Sequence, residues 1–217
     1  ELVKACDANF EGYERLRQLL LNKPPKFGND NEHVDAIYRE MMHFIADNVQ
    51  TWHDARGGWY SFNVHSQTVN VSHGQVTGAL PDGRLAGEPL CDNASPMMGR
   101  DVNGPTATVL SVASMGQDAF HDGALFNLRF DPKGVEGEKG LNIIEGVIKT
   151  FFDHGGEHIQ INVVDTKTLR DAQKNPENYK GLMVRVAGYM AYFTELDESA
   201  QEAIIYRTAH LEEEETA

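Results

Sequence analysis

The spacing of apolar and polar residues changes several times along this chain, and each change predicts an element. In residues 10–21, Tyr13, Leu16, Leu19 and Leu20 recur at helical spacing, which predicts a helix. Lys23-Pro24-Pro25 closes it, because proline lacks the N–H that would continue the ladder. A second helix is expected from Asn31, whose side chain can accept a free N–H of the first turn. Its buried face is read as Val34, Ile37, Met41, Phe44 and Ile45, and the pattern fades near Gly57-Gly58. Residues 59–71 are rich in β-formers and predict a strand with one face buried. Residues 74–104 are dense in Gly, Pro, Asp and Asn. They read as a loop, of a length that within a compact domain tends to carry function.

Residues 106–115 then predict a helix and 124–130 a strand. Residues 140–152 form an amphipathic helical pattern, with Leu141, Ile144, Val147, Ile148 and Phe151 on one side. In residues 157–164, His158, Gln160 and Asn162 alternate with Ile159, Ile161 and Val163, the period of a strand. Asp165-Thr166 caps a helix through Ala172. Val184-Arg185-Val186 reads as a short strand and 197–209 as a last helix. Strands alternating with helices indicate an α/β architecture.

Composition adds exclusions. The chain has 217 residues, 41% hydrophobic and 24% charged, as ordinary globular proteins do. No apolar run is long enough to span a bilayer as a helix. Glu1-Leu2-Val3-Lys4 shows no signal-peptide pattern, and the absence of an initiator Met leads us to expect a chain processed or cut from something longer. A formal charge of -14 argues against binding nucleic acid. Four of those charges sit in Glu212-Glu213-Glu214-Glu215, expected to fray. Cys6 and Cys91 stand apart with no CxxC pair. That spacing excludes a disulfide framework, a zinc ribbon or a cysteine-ligated cluster built by this chain alone, and makes a reducing cytoplasm the expected setting.

The strongest chemical signal is Arg185-Val186-Ala187-Gly188-Tyr189, followed by Phe193 and then Arg207-Thr208. A glycine α-carbon has no side chain, so an unpaired electron there can lie flat between an electron-donating amide nitrogen and an electron-withdrawing carbonyl. Glycine also tolerates a tight loop pressed against other backbone. Val186, Tyr189 and Phe193 are expected to shelter such a centre from water and oxygen.

This segment resembles the signature of glycyl radical enzymes, and other blocks agree in order: Asn9-Phe10-Glu11-Gly12-Tyr13, Lys26-Phe27-Gly28-Asn29-Asp30, Pro81-Asp82-Gly83-Arg84 with Pro89-Leu90, Ser95-Pro96 with Gly99 and Asp101, Gly104-Pro105-Thr106-Ala107, and the strand from His158 to Val164. The resemblance covers nearly the whole chain and looks closest to the pyruvate formate-lyase-like dehydratases and C–X lyases. It implies the C-terminal portion of a ten-stranded barrel surrounded by helices, incomplete without an N-terminal part. Residues 1–157 would be a half-barrel portion with the Pro81-Asp82-Gly83-Arg84 loop, and 158–217 the glycyl radical domain. Gly188 would store the radical, with Arg185, Val186, Ala187, Tyr189, Phe193 and Arg207 supporting its loop. A separate activating enzyme, using S-adenosylmethionine and an iron–sulfur cluster, would install the radical. A cysteine within Gly-Cys-x-Glu would receive it and attack a small substrate, in the cytoplasm of an anaerobic organism and with no metal on this chain.

Neither cysteine here has that context: Cys6 lies in Lys-Ala-Cys-Asp-Ala and Cys91 in Pro-Leu-Cys-Asp-Asn. The expected partner is therefore a larger chain bearing the cysteine loop, and the expected chemistry C–O or other C–X cleavage, with C–C bond formation or decarboxylation as an alternative. A non-enzymatic spare-part subunit that replaces an oxygen-damaged radical domain is a further alternative; relatives of that kind match chiefly from His158 onward. An anaerobic ribonucleotide reductase would carry paired cysteines beside the glycine, which this sequence lacks. Arg207 reads equally as an active-site cation or as a helix C-terminal arginine. Asn63, His65, Gln67, Asn70 and His73 are candidates to approach the barrel interior. His154, Glu157 and His158 are set aside as metal ligands.

Overall fold

A computed structural model describes residues 1–211; the acidic run at 212–215 lies outside the described residues. Eight α-helices are assigned there: α1 (Leu2–Asp7), α2 (Glu14–Asn22), α3 (Glu32–Gln50), α4 (Val69–Gln75), α5 (Pro105–Ala113), α6 (Gly137–Asp153), α7 (Thr166–Lys174) and α8 (Glu198–Tyr206). The strands are β1 (Phe126–Phe130), β2 (Ile159–Val163), β3 (Met183–Arg185), β4 (Met190–Tyr192) and β5 (Ala209–His210).

β1, α6 and β2 form a βαβ unit, with β1 parallel to β2 on one side and to β5 on the other, in the order β2-β1-β5. The sheet is open, as a portion of a barrel would leave it. Its two faces differ because side chains alternate along each strand. Phe126, Leu128 and Phe130 join a core with Val109 and Val112 of α5 and Val147 and Phe151 of α6, and Ile159 and Ile161 pack against it. On the opposite face Asn127 lies beside Gln160 and Arg129 beside Asn162, and all four polar side chains are buried. Burying that much polarity requires partners, and those partners define the site described below.

A second cluster, Val164, Leu169, Ala172, Val184, Val186, Phe193, Ile204 and Ile205, ties α7 and α8 to the antiparallel β3–β4 hairpin. The helices begin where capping chemistry places them. Asn31 accepts from Val34 N at 3.4 Å, Asp165 from Thr168 N at 2.6 Å and Asp197 from Ala200 N at 3.0 Å. The long loop expected over 74–104 begins after α4, at Val76, and is organised around buried Arg84, which donates to Gly74 O and Gly78 O at 2.8 Å and to Pro89 O at 3.3 Å. Among the described residues no helix is long and apolar enough to cross a membrane.

Four expectations are corrected. The last helix, expected through residue 209, ends at Tyr206, because Ala209 and His210 pair with β1 as β5. The helix expected from residue 10 starts at Glu14, because buried Phe10 and Gly12 both take positive φ, of 59° and 77°, and turn the chain first. Residues 59–71 form no strand. Val64 makes a single parallel bridge to Ala124, Gln67 turns the chain at φ 52°, and α4 begins at Val69. On α3 the buried face is not the one expected. Asp35 and Ala46 are buried and Tyr38 and Met42 pack on the core, whereas Ile37, Met41 and Phe44 are exposed.

Candidate functional site

The hairpin turn joining β3 to β4 carries Val186, Ala187, Gly188 and Tyr189. It is closed by Val186 N donating to Tyr189 O at 2.9 Å. Gly188 has φ 83°, a backbone conformation that costs other L-residues about 1–2 kcal/mol. The turn lies on the polar face of the β1–β2 sheet, and side chains hold its backbone one group at a time. Asn162 both accepts from Arg185 N at 2.8 Å and donates to Arg185 O at 2.9 Å. Asn127 donates to Val186 O at 3.2 Å. Gln160 Oε1 accepts from Gly188 N at 3.1 Å. Because these bonds run to main-chain atoms, they fix the path of the turn whatever its side chains are.

Arg207 completes the clamp. Its Nη1 donates to Arg185 O at 3.0 Å and its Nη2 to Val186 O at 2.6 Å. Its Nε lies 2.8 Å from Asp92 Oδ2, an ion pair rather than an aligned hydrogen bond. Asp92 also accepts from Asn127 at 2.9 Å and from Asn93. Burial pushes the Asp92 carboxyl above the usual carboxylate range, against the opposing pull of Arg207 and Asn127. Arg207 directly follows α8, yet its guanidinium bonds to the glycine turn and not to that helix, so the helix-terminal reading is replaced. Arg129 in turn holds the Arg207 backbone, with Nη2 donating to Arg207 O at 2.6 Å and to Ile205 O at 3.2 Å. Sequence reasoning missed Asp92, Asn127 and Arg129. The polar alternation seen for β2 was also present in Asn127 and Arg129, and would have marked them.

Val186 and Ala187 are each 1% exposed and Phe193 is fully buried, but Gly188 is exposed in this chain and Tyr189 is 44% exposed. An alanine Cβ at 188 would sit 3.6 Å from Leu125 Cδ1 and 4.0 Å from His65 Nε2, ordinary contacts on the inner side. Of the polar residues placed near the interior by sequence, His65 is exposed but lies on the side of the glycine where a Cβ would point, and Asn70 is buried and donates to Leu90 O at 3.3 Å. Asn63, Gln67 and His73 are exposed. Cys6 is half-buried in α1 and Cys91 is exposed in the long loop.

A family model described as glycine radical matches residues 90–194, spanning the turn, and one described as pyruvate formate lyase-like matches residues 1–74. The chain belongs to the pyruvate formate-lyase-like glycyl radical enzymes. It corresponds to their C-terminal, glycyl-radical part. Trans-4-hydroxy-L-proline dehydratase of Clostridioides difficile is 43% identical over 207 residues, covering 95% of this chain and 26% of that protein. Isethionate sulfite-lyase of Desulfovibrio desulfuricans is 40% identical over 218 residues, covering 97% of this chain and 26% of that protein. Among solved structures, the glycerol-bound B12-independent glycerol dehydratase from Clostridium butyricum superposes with a TM-score of 0.92 at 43% identity, covering 97% of this chain and 27% of that one. The chain thus spans about a quarter of the length of the glycyl radical enzymes it matches.

Proposed function

We propose that Gly188 is the residue of this glycyl radical enzyme that stores the unpaired electron. The observation that carries the reading is the clamped turn: glycine at φ 83°, its own N–H bonded, and the carbonyls of the two preceding turn-entry residues held by a buried arginine paired to a buried aspartate. A carbon-centred radical, generated from S-adenosylmethionine on an activating enzyme, takes one hydrogen atom from the Gly188 α-carbon. One C–H bond breaks there and one forms on the abstracting carbon. Arg185, Val186, Ala187 and Arg207 hold the turn during and after that step. Tyr189 continues the turn into β4, and Phe193 anchors the far side of the hairpin in the second core cluster.

In turnover, a cysteine S–H on polypeptide outside these residues returns a hydrogen atom to Gly188 and becomes the thiyl radical that opens a small substrate. The relatives' names, dehydratase and sulfite-lyase, favour cleavage of a C–O or other C–X bond. The exposed side of Gly188 is where that cysteine loop would approach. Residues 1–157 act as the scaffold and 158 onward as the radical-bearing unit, a division favoured by the second core cluster, whose buried residues all fall between Val164 and Ile205. A radical destroyed by oxygen suits the cytoplasm of an anaerobically growing cell.

The test is co-expression with a complementary chain that carries a Gly-Cys-x-Glu loop, followed by anaerobic activation and assay against diols, hydroxyproline and isethionate. Turnover that needs both chains and is lost in Gly188→Ala supports the reading. Turnover by this chain alone contradicts it, and rescue only of an oxygen-cleaved enzyme would instead make the chain a spare part.

A further inference from the structure

Resting on the reading of Gly188 as the radical site, we infer that Gln160 is a positioning residue that stabilises the radical through the Gly188 amide. Gln160 is 3% exposed and sits at the centre of β2, opposite Asn127 in register. Its Oε1 accepts from Gly188 N at 3.1 Å. The amide can face only one way. Gly188 N–H is an obligate donor, so the oxygen must meet it, which leaves Nε2 beside the ring nitrogen of His158 at 3.5 Å.

Removing a hydrogen atom from the Gly188 α-carbon lets the nitrogen lone pair delocalise through that carbon toward the carbonyl oxygen. The nitrogen then bears more positive charge and its N–H becomes a stronger donor. An acceptor already in place interacts more strongly with the radical than with the parent glycine, the condition for differential stabilisation by a preorganised dipole. Arg207 and Asn127 on Val186 O hold the preceding Val186–Ala187 peptide, and Gln160 holds the N–H of the next one, Ala187–Gly188. Asn162 and Arg207, by contrast, hold the turn without touching the residue that would carry the electron.

The experiment compares wild type, Gln160→Leu and Gln160→Glu in the enzyme assembled with its complementary polypeptide and activated anaerobically, with glycine labelled by nitrogen-15. Spins per chain and the nitrogen-15 coupling of the radical are read by electron paramagnetic and electron–nuclear double resonance. Gln160→Leu is expected to lower the spin yield roughly two- to tenfold, the range set by one neutral hydrogen bond, and to change the coupling. Gln160→Glu, which keeps an oxygen facing the amide in either protonation state, is expected to restore both. An unchanged yield and coupling in Gln160→Leu would overturn the inference. If that variant does not fold, amide exchange in unactivated wild type decides: Gly188 N–H slowed at least tenfold relative to the Tyr189 amide supports the bond, and equal rates overturn it. Absence of any radical in wild type would instead overturn the Gly188 reading, leaving the exchange result standing on its own.

Discussion

Arg207 Nε and Asp92 Oδ2 lie 2.8 Å apart, with both side chains almost fully buried, and the same guanidinium holds the carbonyls of Arg185 and Val186. The ion pair and the glycine turn are therefore one assembly. Arg207→Met would strand a buried carboxylate, at a cost of about 3–5 kcal/mol, and leave the Arg185 and Val186 carbonyls with one side-chain donor each, Asn162 and Asn127. Arg207→Lys should recover little, because an ammonium cannot fork to two carbonyls while facing the carboxylate. Urea unfolding measures both, and a Lys variant as stable as wild type would contradict the clamp.

Asn162 binds Arg185 on both its N–H and its C=O, at 2.8 and 2.9 Å. Asn162→Leu should cost about 1–3 kcal/mol by taking the side-chain acceptor from the Arg185 N–H, while the Arg185 carbonyl keeps Arg207. The effect should be local: amides of the β3–β4 hairpin exchange faster with deuterium while those of α5 and α6 do not.

Arg84 is a buried side chain around which the long loop folds, donating to carbonyls at Gly74, Gly78 and Pro89. Gly74 itself packs so tightly that a Cβ would sit 2.3 Å from Glu88 O. Arg84→Lys should lose about 1.5–3 kcal/mol, the range for hydrogen bonds to a charged group. Limited proteolysis within residues 76–90 would report the opened loop.

Cys91 has a pH signature. The surrounding protein and the neighbouring Asp82 and Asp92 carboxylates push its thiol from 9.0 up to about 11, although the residue reaches the surface. The fold favours the protonated thiol, so the stability this group contributes is complete below pH 9 and is lost as pH rises through 11. Alkylation of Cys91, followed by mass spectrometry, should rise with a midpoint near 11; a midpoint near 9 would contradict the shift.

Much of this was legible in the sequence because it is local. The alternation along β2, the aspartate cap of α7 and the motif around Gly188 each need only a few neighbouring residues. What was missed depends on contacts distant along the chain. α3 is apolar around much of its circumference, so period alone cannot tell that Tyr38 and Met42 turn inward while Ile37 and Phe44 stay exposed. Residues 59–71 have strand composition, but Ser66 and Gln67 N–H groups are taken by Asn93 Oδ1 at 2.7 and 3.0 Å, and no neighbouring strand claims them. Nothing local to Asp92 announces that Arg207 will face it.

On the reading proposed above, the unpaired electron resides on the Gly188 α-carbon. Its most direct test is the electron paramagnetic resonance spectrum after anaerobic activation, recorded with ordinary glycine and with glycine deuterated at the α-carbon. The expected spectrum is a doublet from the one remaining α-hydrogen, collapsing to a narrow line on deuteration and absent in Gly188→Ala. A doublet that survives that substitution, or that deuteration leaves unchanged, would place the electron elsewhere and contradict that reading.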